Sequence, residues 1–305
     1  MNRENVRQKL DELKQAARES GLNIDRELEA LETKVRADSE NETVWRRVEL
    51  ARHPDRPNSL DYIERIFDGF IELHGDRAFG DDPAIIGGLA FFEGRPVTII
   101  ANQKGRTLKE NMFRNHGMGN PEGYRKALRL ARQAEKFRRP VITFVDTAGA
   151  YPGIGSEERG IGEAIAHNLR DFSQLRTPVI CIIIGEGGSG GALGIGIGDK
   201  IYMLENAIYS VISPEGFASI LLHDSTKAKE AAAMLRMTSQ DLLQFGIING
   251  VIAEAEGGAQ NDPSFSAARI RDVLKRDLDH LCGCSPSVLV RYRNQKLRKA
   301  GHWND

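Results

Sequence analysis

The run RTPVICIIIGEGGSGGALG, from Arg176 to Gly194, decides how the rest of the chain is read. It opens on a basic residue and a proline, and continues as an unbroken apolar stretch from Val179 to Ile184. It ends in a segment, Gly185–Gly194, in which seven of ten residues are Gly or Ala. A short apolar run bounded by Pro and Gly reads as a strand buried on both faces. The same pattern occurs twice upstream. RPVTIIANQKG begins at Arg95, and RPVITFVDTAG begins at Arg139. The starts fall roughly 40 residues apart, within the range of repeated supersecondary units.

The gaps between copies read as helical. The clearest helix spans Pro121–Arg138, with Pro121 suited to its first turn and Leu128, Ala131 and Ala134 on one face. After the third copy, the pattern predicts a small-residue helix over Ala192–Ile197 and strands near Lys200–Leu204 and Ala207–Ile212. It then predicts a helix near Thr226–Met237, a short strand at Val251–Ala253 and a helix over Ser264–Leu281. Alternating strands and helices make an α/β domain. The repeat suggests successive turns of a spiral, each placing its Gly loop on the same side. The segment ARHPDRPNSLDYIERIF leads into it. Pro54 and Pro57 forbid a continuous helix. Ser59 is expected to cap the next helix, with Asp61 in its first turn and Ile63, Phe67 and Phe70 on its buried face.

Residues 1–50 differ in texture. Val6, Leu10, Leu13 and Ala17, then Ile24, Leu28, Leu31 and Val35, repeat a 4, 3, 4 spacing on either side of a Ser20–Asn23 turn. This predicts a helical hairpin whose narrow apolar seams bury against their own domain or against a partner subunit. The expected divisions are therefore 1–50 for the hairpin, 51–282 for the main domain and 283–305 for a basic tail.

Composition bounds the function. The chain has 305 residues, 40% hydrophobic and 28% charged, with a net charge of -1, so no bulk basicity points to nucleic acid. Gly is the outlier at 31 residues, and those glycines cluster after apolar runs. No early apolar stretch reads as a signal peptide, and no apolar run is long enough to span a membrane. Of the three cysteines, Cys181 lies in an apolar strand, and the Cys282–Cys284 pair has no second pair to complete a zinc site. A reducing cytoplasm and no metal in this chain are the expectations.

The Gly-rich loop itself fits several motifs. Gly185, Gly187 and Gly190 spell G-x-G-x-x-G, but the dinucleotide fingerprint belongs to the first βα unit of its domain, not one beyond residue 180. Gly187, Ser189 and Gly191 spell G-x-S-x-G, yet neither His223 nor His280 is singled out as a partner base. DTAG at Asp146–Gly149 matches a GTPase switch motif, but the chain has no G-x-x-x-x-G-K-[ST] phosphate cradle. Two readings remain. One is a tight turn that packs helix on sheet. The other is a hole of backbone donors, because N–H groups at a helix N-terminus are unpaired and glycines there let a carbonyl oxygen approach. The second loop, DTAGAYPG at Asp146–Gly153, has the same build, and the repeat would bring the two side by side.

These loops, with PEGYRKALRLA at Pro121–Ala131 and YSVISPEG at Tyr209–Gly216, carry a resemblance over nearly the whole chain, to about residue 282. The sequence closely resembles the alpha subunits of bacterial acetyl-CoA carboxylase carboxyltransferases. The resemblance implies a crotonase-like (ClpP/crotonase) fold, a spiral of ββα units. It implies pairing with a beta subunit, commonly as α2β2, that supplies the acetyl-CoA side and often a zinc ribbon. Carboxybiotin on a separate biotin carboxyl carrier protein would donate its carboxyl group to acetyl-CoA, giving malonyl-CoA, the first committed step of fatty acid synthesis. By match to the family's motif, the N–H groups of Gly190 and Gly191 would hold the biotin ureido oxygen, so that the ureido nitrogen can take a proton from the acetyl methyl group. Gly149, Ala150 and Tyr151 would shape the opposite wall, beside Gly187 and Gly188.

The sequence departs from the family pattern at Ala148 (often Pro or Lys), at Gln260 (usually His) and at Leu222 (usually Trp). Ala148 lies beside the proposed pocket. Two other functions are weighed. A stand-alone crotonase-like acyl-CoA hydratase or isomerase would need acids aimed into the pocket, and Glu157 and Glu158 are the nearest. A non-catalytic scaffold for the biotin carrier would not need the Gly190–Gly191 pair. The helix after Tyr124 carries Arg125, Lys126, Arg129, Arg132, Lys136, Arg138 and Arg139. That is either a solvated face or a positive surface for an acidic carrier domain or CoA phosphates. Aromatic residues do not interleave with these cations, which argues against nucleic acid.

Overall fold

The computed structural model describes residues 40–301, together with Glu12 and Thr33. The apolar seams of the expected N-terminal hairpin lie outside the described residues. A helix, α1, is described over 40–51. Helix α2 (Ser59–Ile66) follows the two prolines, and strand β1 (Asp68–Glu72) follows α2. Asn58, not Ser59, caps α2. Its side chain accepts the Asp61 N–H, and Asp61 returns the bond to the Asn58 N–H, a reciprocal box. Ser59 is fully buried and donates its hydroxyl to the Asn102 carbonyl at 2.6 Å, which ties α2 to the sheet.

Among the described residues the sheet has eight strands in the order β1-β2-β3-β4-β5-β6-β8, with β7 (Ile208–Ser210) beside β5. Strands β2 (Ile85–Phe92) and β3 (Arg95–Asn102) form an antiparallel hairpin, and β1 closes that edge. From β3 onward the strands run parallel: β4 (Val141–Thr147), β5 (Val179–Gly188), β6 (Lys200–Leu204) and β8 (Gly250–Ile252). The three strands read from the repeat are thus adjacent and parallel, so their following loops emerge at one edge. All seven residues of β4 are buried, as a central parallel strand covered on both faces requires.

Helix α3 (Leu108–Phe113) follows β3, and α4 (Pro121–Lys136) packs with α6 (Ile161–Gln174). Short α5 (Ile154–Glu158) precedes α6, and α7 (Ser189–Leu193) follows β5 directly. The small-residue helix therefore starts three residues earlier than the sequence pattern suggests. The segment expected as one helix over Thr226–Met237 is a 3-10 turn, Ser225–Lys227, and then a helix, α9 (Ala228–Leu235). It follows α8 (Pro214–Leu221), and α9 ends where Arg236 takes a positive φ of 49°. Helices α10 (Ser239–Gln244) and α11 (Pro263–Cys282) complete the layer. Beyond Gly283, where a basic tail is expected, the chain forms a further helix, α12 (Pro286–Arg298). Leu289 of α12 joins the main core, and its Arg293 is 1% exposed.

The main core lies on both faces of the sheet. It includes a stacked Tyr62–Phe144 pair and Phe67 edge-on to Phe144. Cys181 is buried within β5, and all three cysteines are free thiols. A smaller cluster, with Val48, Ala51, Ile208 and Met237, fixes α1 against β7 (Ile208–Ser210). Among the described residues no helix is long and apolar enough to cross a membrane.

Candidate active site

At the end of β5 the sheet splits. Residues up to Ile183 pair with β6, whereas Glu186, Gly187 and Gly188 pair with β7. The β4–β5 register also slips between Val145 and Thr147. The two Gly-rich loops begin at this break.

The first loop is pinned at its root. The Thr147 hydroxyl donates to the Gly149 carbonyl at 2.6 Å and accepts the Gly149 N–H at 3.2 Å. Further along, the Tyr151 N–H donates to the Gly119 carbonyl at 3.0 Å. The second loop runs straight into α7, which opens at Ser189 with a φ of 52°, an uncommon conformation for a side chain with a Cβ.

The glycines explain the composition of these loops. A Cβ on Gly188 would stand 2.0 Å from the Ala148 carbonyl oxygen. One on Gly191 would stand 2.3 Å from the Gly149 carbonyl carbon and 2.4 Å from the Ala150 nitrogen. Backbone touches backbone, so neither position admits a side chain. The loops from the second and third copies of the repeat do lie side by side. Gly149 and Gly190 differ. A Cβ on Gly149 would meet nothing within 4 Å, and one on Gly190 would meet only Ile165, at 3.7 Å. Gly149 thus leaves open space, and at Gly190 a methyl would make only ordinary contact. Gly187 belongs to another contact: a Cβ there would press on the Tyr209 ring at 2.7 Å. Ala150 is half-buried and Tyr151 is 36% exposed, at the rim.

Helix α7 has only five residues, so its first N–H groups have no partner within the helix. The Gly194 N–H donates to the Gly190 carbonyl at 2.9 Å. That bond polarises the Gly190–Gly191 peptide, whose own N–H is the Gly191 donor. The fully buried Tyr124 donates its hydroxyl to the Gly191 carbonyl at 3.1 Å.

Beneath the loops lies an ionic cluster that sequence reading did not single out. Asp146 lies near the end of β4, three residues before Gly149, and Glu186 lies near the end of β5, between Gly185 and Gly187. Lys104 bridges them, at 2.7 Å to Asp146 and 3.2 Å to Glu186. Arg52, after α1, holds Glu186 at 2.7 Å and Glu215 at 2.7 Å. Burial alone would raise the Glu186 carboxyl, but Lys104 and Arg52 outweigh it and hold the group below its ordinary range. Burial would likewise lower Lys104, and the two carboxylates reverse the sign and raise it. The cluster ties the ends of β3, β4 and β5 together. Its sequence signal is one acid near the start of each Gly-rich loop, Asp146 in DTAG and Glu186 in GEGG.

The cations of α4 are largely consumed within the fold. Arg125 pairs with Asp76 at 2.7 Å, Lys126 is buried against Asp81, Arg129 donates to the Gly75 carbonyl and Arg132 pairs with Asp171. Arg139 donates to the Thr98 hydroxyl. Lys136 and Arg138 remain exposed. The face is not the free positive surface that its sequence suggests. Glu157 and Glu158 are both exposed on α5. Gln260 donates to the Gly257 carbonyl in the turn after β8, and Leu222 caps α8. Among the described residues no group of three or more His, Cys, Asp or Glu side chains could hold a metal ion.

One carboxyl beside the site is displaced upward. Asp82 is 1% exposed and accepts the N–H groups of Ala84 at 2.9 Å and Asn120 at 2.7 Å. Burial pushes it up to about 6 from an ordinary 3.8. The folded state therefore holds this proton more tightly than the unfolded chain, and stability through this group falls as pH rises between those values. Asp82→Asn removes the titration. The stability of the wild type relative to this variant is expected to rise by on the order of 2 kcal/mol as pH falls from 7 to 4. Denaturant unfolding of both proteins at the two pH values checks this. A pH-independent difference would mean that Asp82 does not titrate in that window.

Comparison with known proteins bears on this geometry. Residues 2–301 match the family described as acetyl co-enzyme A carboxylase carboxyltransferase-like. The chain is 62% identical over 296 residues to the acetyl-coenzyme A carboxylase carboxyl transferase subunit alpha of Treponema denticola, covering 97% of each. It is 51% identical over 303 residues to the subunit of the same name from a Geobacillus species, covering 98% of this chain and 93% of the relative. Among solved structures, a Pseudomonas malonate decarboxylase hetero-tetramer in complex with coenzyme A superposes with a TM-score of 0.59 at 19% identity, over 78% of this chain and 95% of that one. Transcarboxylase 12S superposes at 0.58 and 22% identity, over 72% of this chain. The likeness spans only 41% of that longer chain. These distant likenesses carry the fold, which is crotonase-like.

Proposed function

The chain belongs to the acetyl-CoA carboxylase carboxyltransferase family as an alpha subunit, and from that premise we propose that it contributes to carboxyl transfer through backbone donors at the junction of its two Gly-rich loops. The enzyme transfers a carboxyl group from carboxybiotin to acetyl-CoA and gives malonyl-CoA. The observation that supports the backbone reading is the direct contact of Gly191 with the Gly149–Ala150 peptide, beside open space at Gly149.

Carboxybiotin, borne on a separate carrier protein, supplies the carboxyl group. The flat ureido ring suits this junction, because no side chain projects from Gly149, Gly190 or Gly191. The N–H groups of Gly190 and Gly191 would hold the ureido oxygen and stabilise negative charge as it develops there. Gly149, Ala150 and Tyr151 would form the facing wall, with Gly187 and Gly188 at the base. No side-chain acid or base of this chain is needed, which accords with the exposure of Glu157 and Glu158.

The subunit works with a partner. We take that partner to be a beta subunit that binds acetyl-CoA and carries the zinc, in an α2β2 assembly in the cytoplasm, with the biotin carboxyl carrier protein docking on the pair. The test is biotin-dependent decarboxylation of malonyl-CoA by this chain alone and by this chain copurified with the beta subunit. Activity only in the mixture is expected. Activity of the lone chain would place both sites within these residues and overturn the division of labour.

A further inference from the structure

We propose that Tyr124 is a positioning residue for carboxyl transfer, and that the turn from Gly119 to Tyr124 is a bracket that holds the two Gly-rich loops at their working separation. This rests on the reading of Gly190 and Gly191 as oxyanion donors.

The bracket touches both loops. At one end the Gly119 carbonyl accepts the Tyr151 N–H at 3.0 Å, which anchors the first loop. At the other the Tyr124 hydroxyl donates to the Gly191 carbonyl at 3.1 Å, which anchors the second. The bonds that close α7 leave this carbonyl to Tyr124. Gly194 N–H goes to Gly190, Ile195 N–H to Ala192 and Gly196 N–H to Leu193. A helix of five glycine-rich residues has little intrinsic stability. Its direction is therefore set by what grips it from outside.

The grip is built to close tolerances. The Tyr124 ring fills the space that side chains at Gly119 and Gly194 would need, since a Cβ at those positions would stand 3.1 Å and 2.6 Å from it. Asn168 on α6 locks the same joint. Its amide donates to the Tyr124 carbonyl at 3.0 Å and to the Gly194 carbonyl at 2.8 Å. The turn is held from behind through Asn120, whose N–H donates to Asp82 at 2.7 Å and whose side chain accepts from Ser156 at 2.5 Å. Burial pushes the Tyr124 phenol well above its ordinary range, so the hydroxyl stays a donor at any working pH. A buried tyrosine hydroxyl needs an acceptor, and the one taken here is a carbonyl of α7.

Tyr124→Phe keeps the ring and removes the bond. In the assembled alpha–beta complex, kcat for biotin-dependent malonyl-CoA decarboxylation is expected to fall about 10- to 100-fold, the cost of a small misplacement of catalytic groups. KM for malonyl-CoA, bound by the partner, should stay within about twofold. Rates are expressed per assembled complex, so a purely structural role would lower yield and melting temperature while leaving kcat unchanged. Gly191→Ala is measured in parallel. Wild-type kcat in Tyr124→Phe with an inactive Gly191→Ala overturns the bracket and leaves the oxyanion reading standing. Wild-type kcat in Gly191→Ala overturns the oxyanion reading itself. Should Tyr124→Phe fail to assemble, Asn168→Ser loosens the same joint from α6. A loss of kcat with KM held then supports the bracket, and an unchanged kcat overturns it.

Discussion

Gly191→Ala is expected to lower kcat of the assembled carboxyltransferase by about 100- to 1000-fold, the usual cost of losing one oxyanion donor. The reason is steric and local. The added methyl would stand 2.3 Å from the Gly149 carbonyl carbon and 2.4 Å from the Ala150 nitrogen, and neither is the tip of a flexible side chain. Backbone must yield, so the two loops separate and the Gly190–Gly191 peptide turns away from the junction. Gly190→Ala makes the informative contrast. Its methyl would meet only Ile165, at 3.7 Å, so the fold accommodates it. That variant should keep the melting temperature of the wild type and show a smaller loss of kcat, arising from crowding of the pocket alone. Steady-state kinetics on both purified complexes separate the two cases. Near-normal turnover in Gly191→Ala would mean that loop apposition is not what the reaction uses.

Arg293→Met is expected to destabilise the fold strongly, by about 3–5 kcal/mol. Arg293 lies in α12, and all five of its guanidinium hydrogens have acceptors. Two bonds go to Asp199, at 3.0 and 2.7 Å. The others go to the carbonyls of Phe172 and Leu175, each at 2.8 Å, and of Thr177, at 3.0 Å. Methionine fills much of the volume but leaves Asp199 as a buried charge without its partner, and three carbonyls unpaired. For a chain of this size the melting temperature should drop by on the order of 10 °C, while kcat at 25 °C should be little changed, because none of these groups touches the loops. A shift of only a degree or two would show that α12 is peripheral to the fold.

The backbone plan was legible because it rests on runs. Three apolar stretches, each led by a basic residue and Pro, could only be buried parallel strands, and the glycines after them could only be loops at one edge. The two-loop junction followed from that alone. What stayed hidden depends on contacts between distant residues. Asn58 and Ser59 are equally good caps by type, and the sheet decides between them by taking the Ser59 hydroxyl for Asn102. Helix α7 starts at Ser189 because Tyr124 and Asn168, far back in the chain, hold a stretch whose glycines would not stay helical alone. The arginines of α4 left a solvated face and a docking surface both open, because their acceptors, Asp76, Gly75 and Asp171, sit on other elements. Arg293 looked like one more charge in a basic tail for the same reason. The Lys104–Asp146–Glu186 cluster was half visible, in the acid that each Gly-rich loop carries near its start, but its lysine comes from the first copy of the repeat.

The most direct test of the backbone mechanism is a crystal structure of the alpha–beta complex with biotin bound. The account predicts the ureido oxygen within hydrogen-bonding distance, about 2.7–3.1 Å, of the N–H groups of both Gly190 and Gly191. A ureido oxygen held instead by side chains, or lying away from this junction, would contradict it.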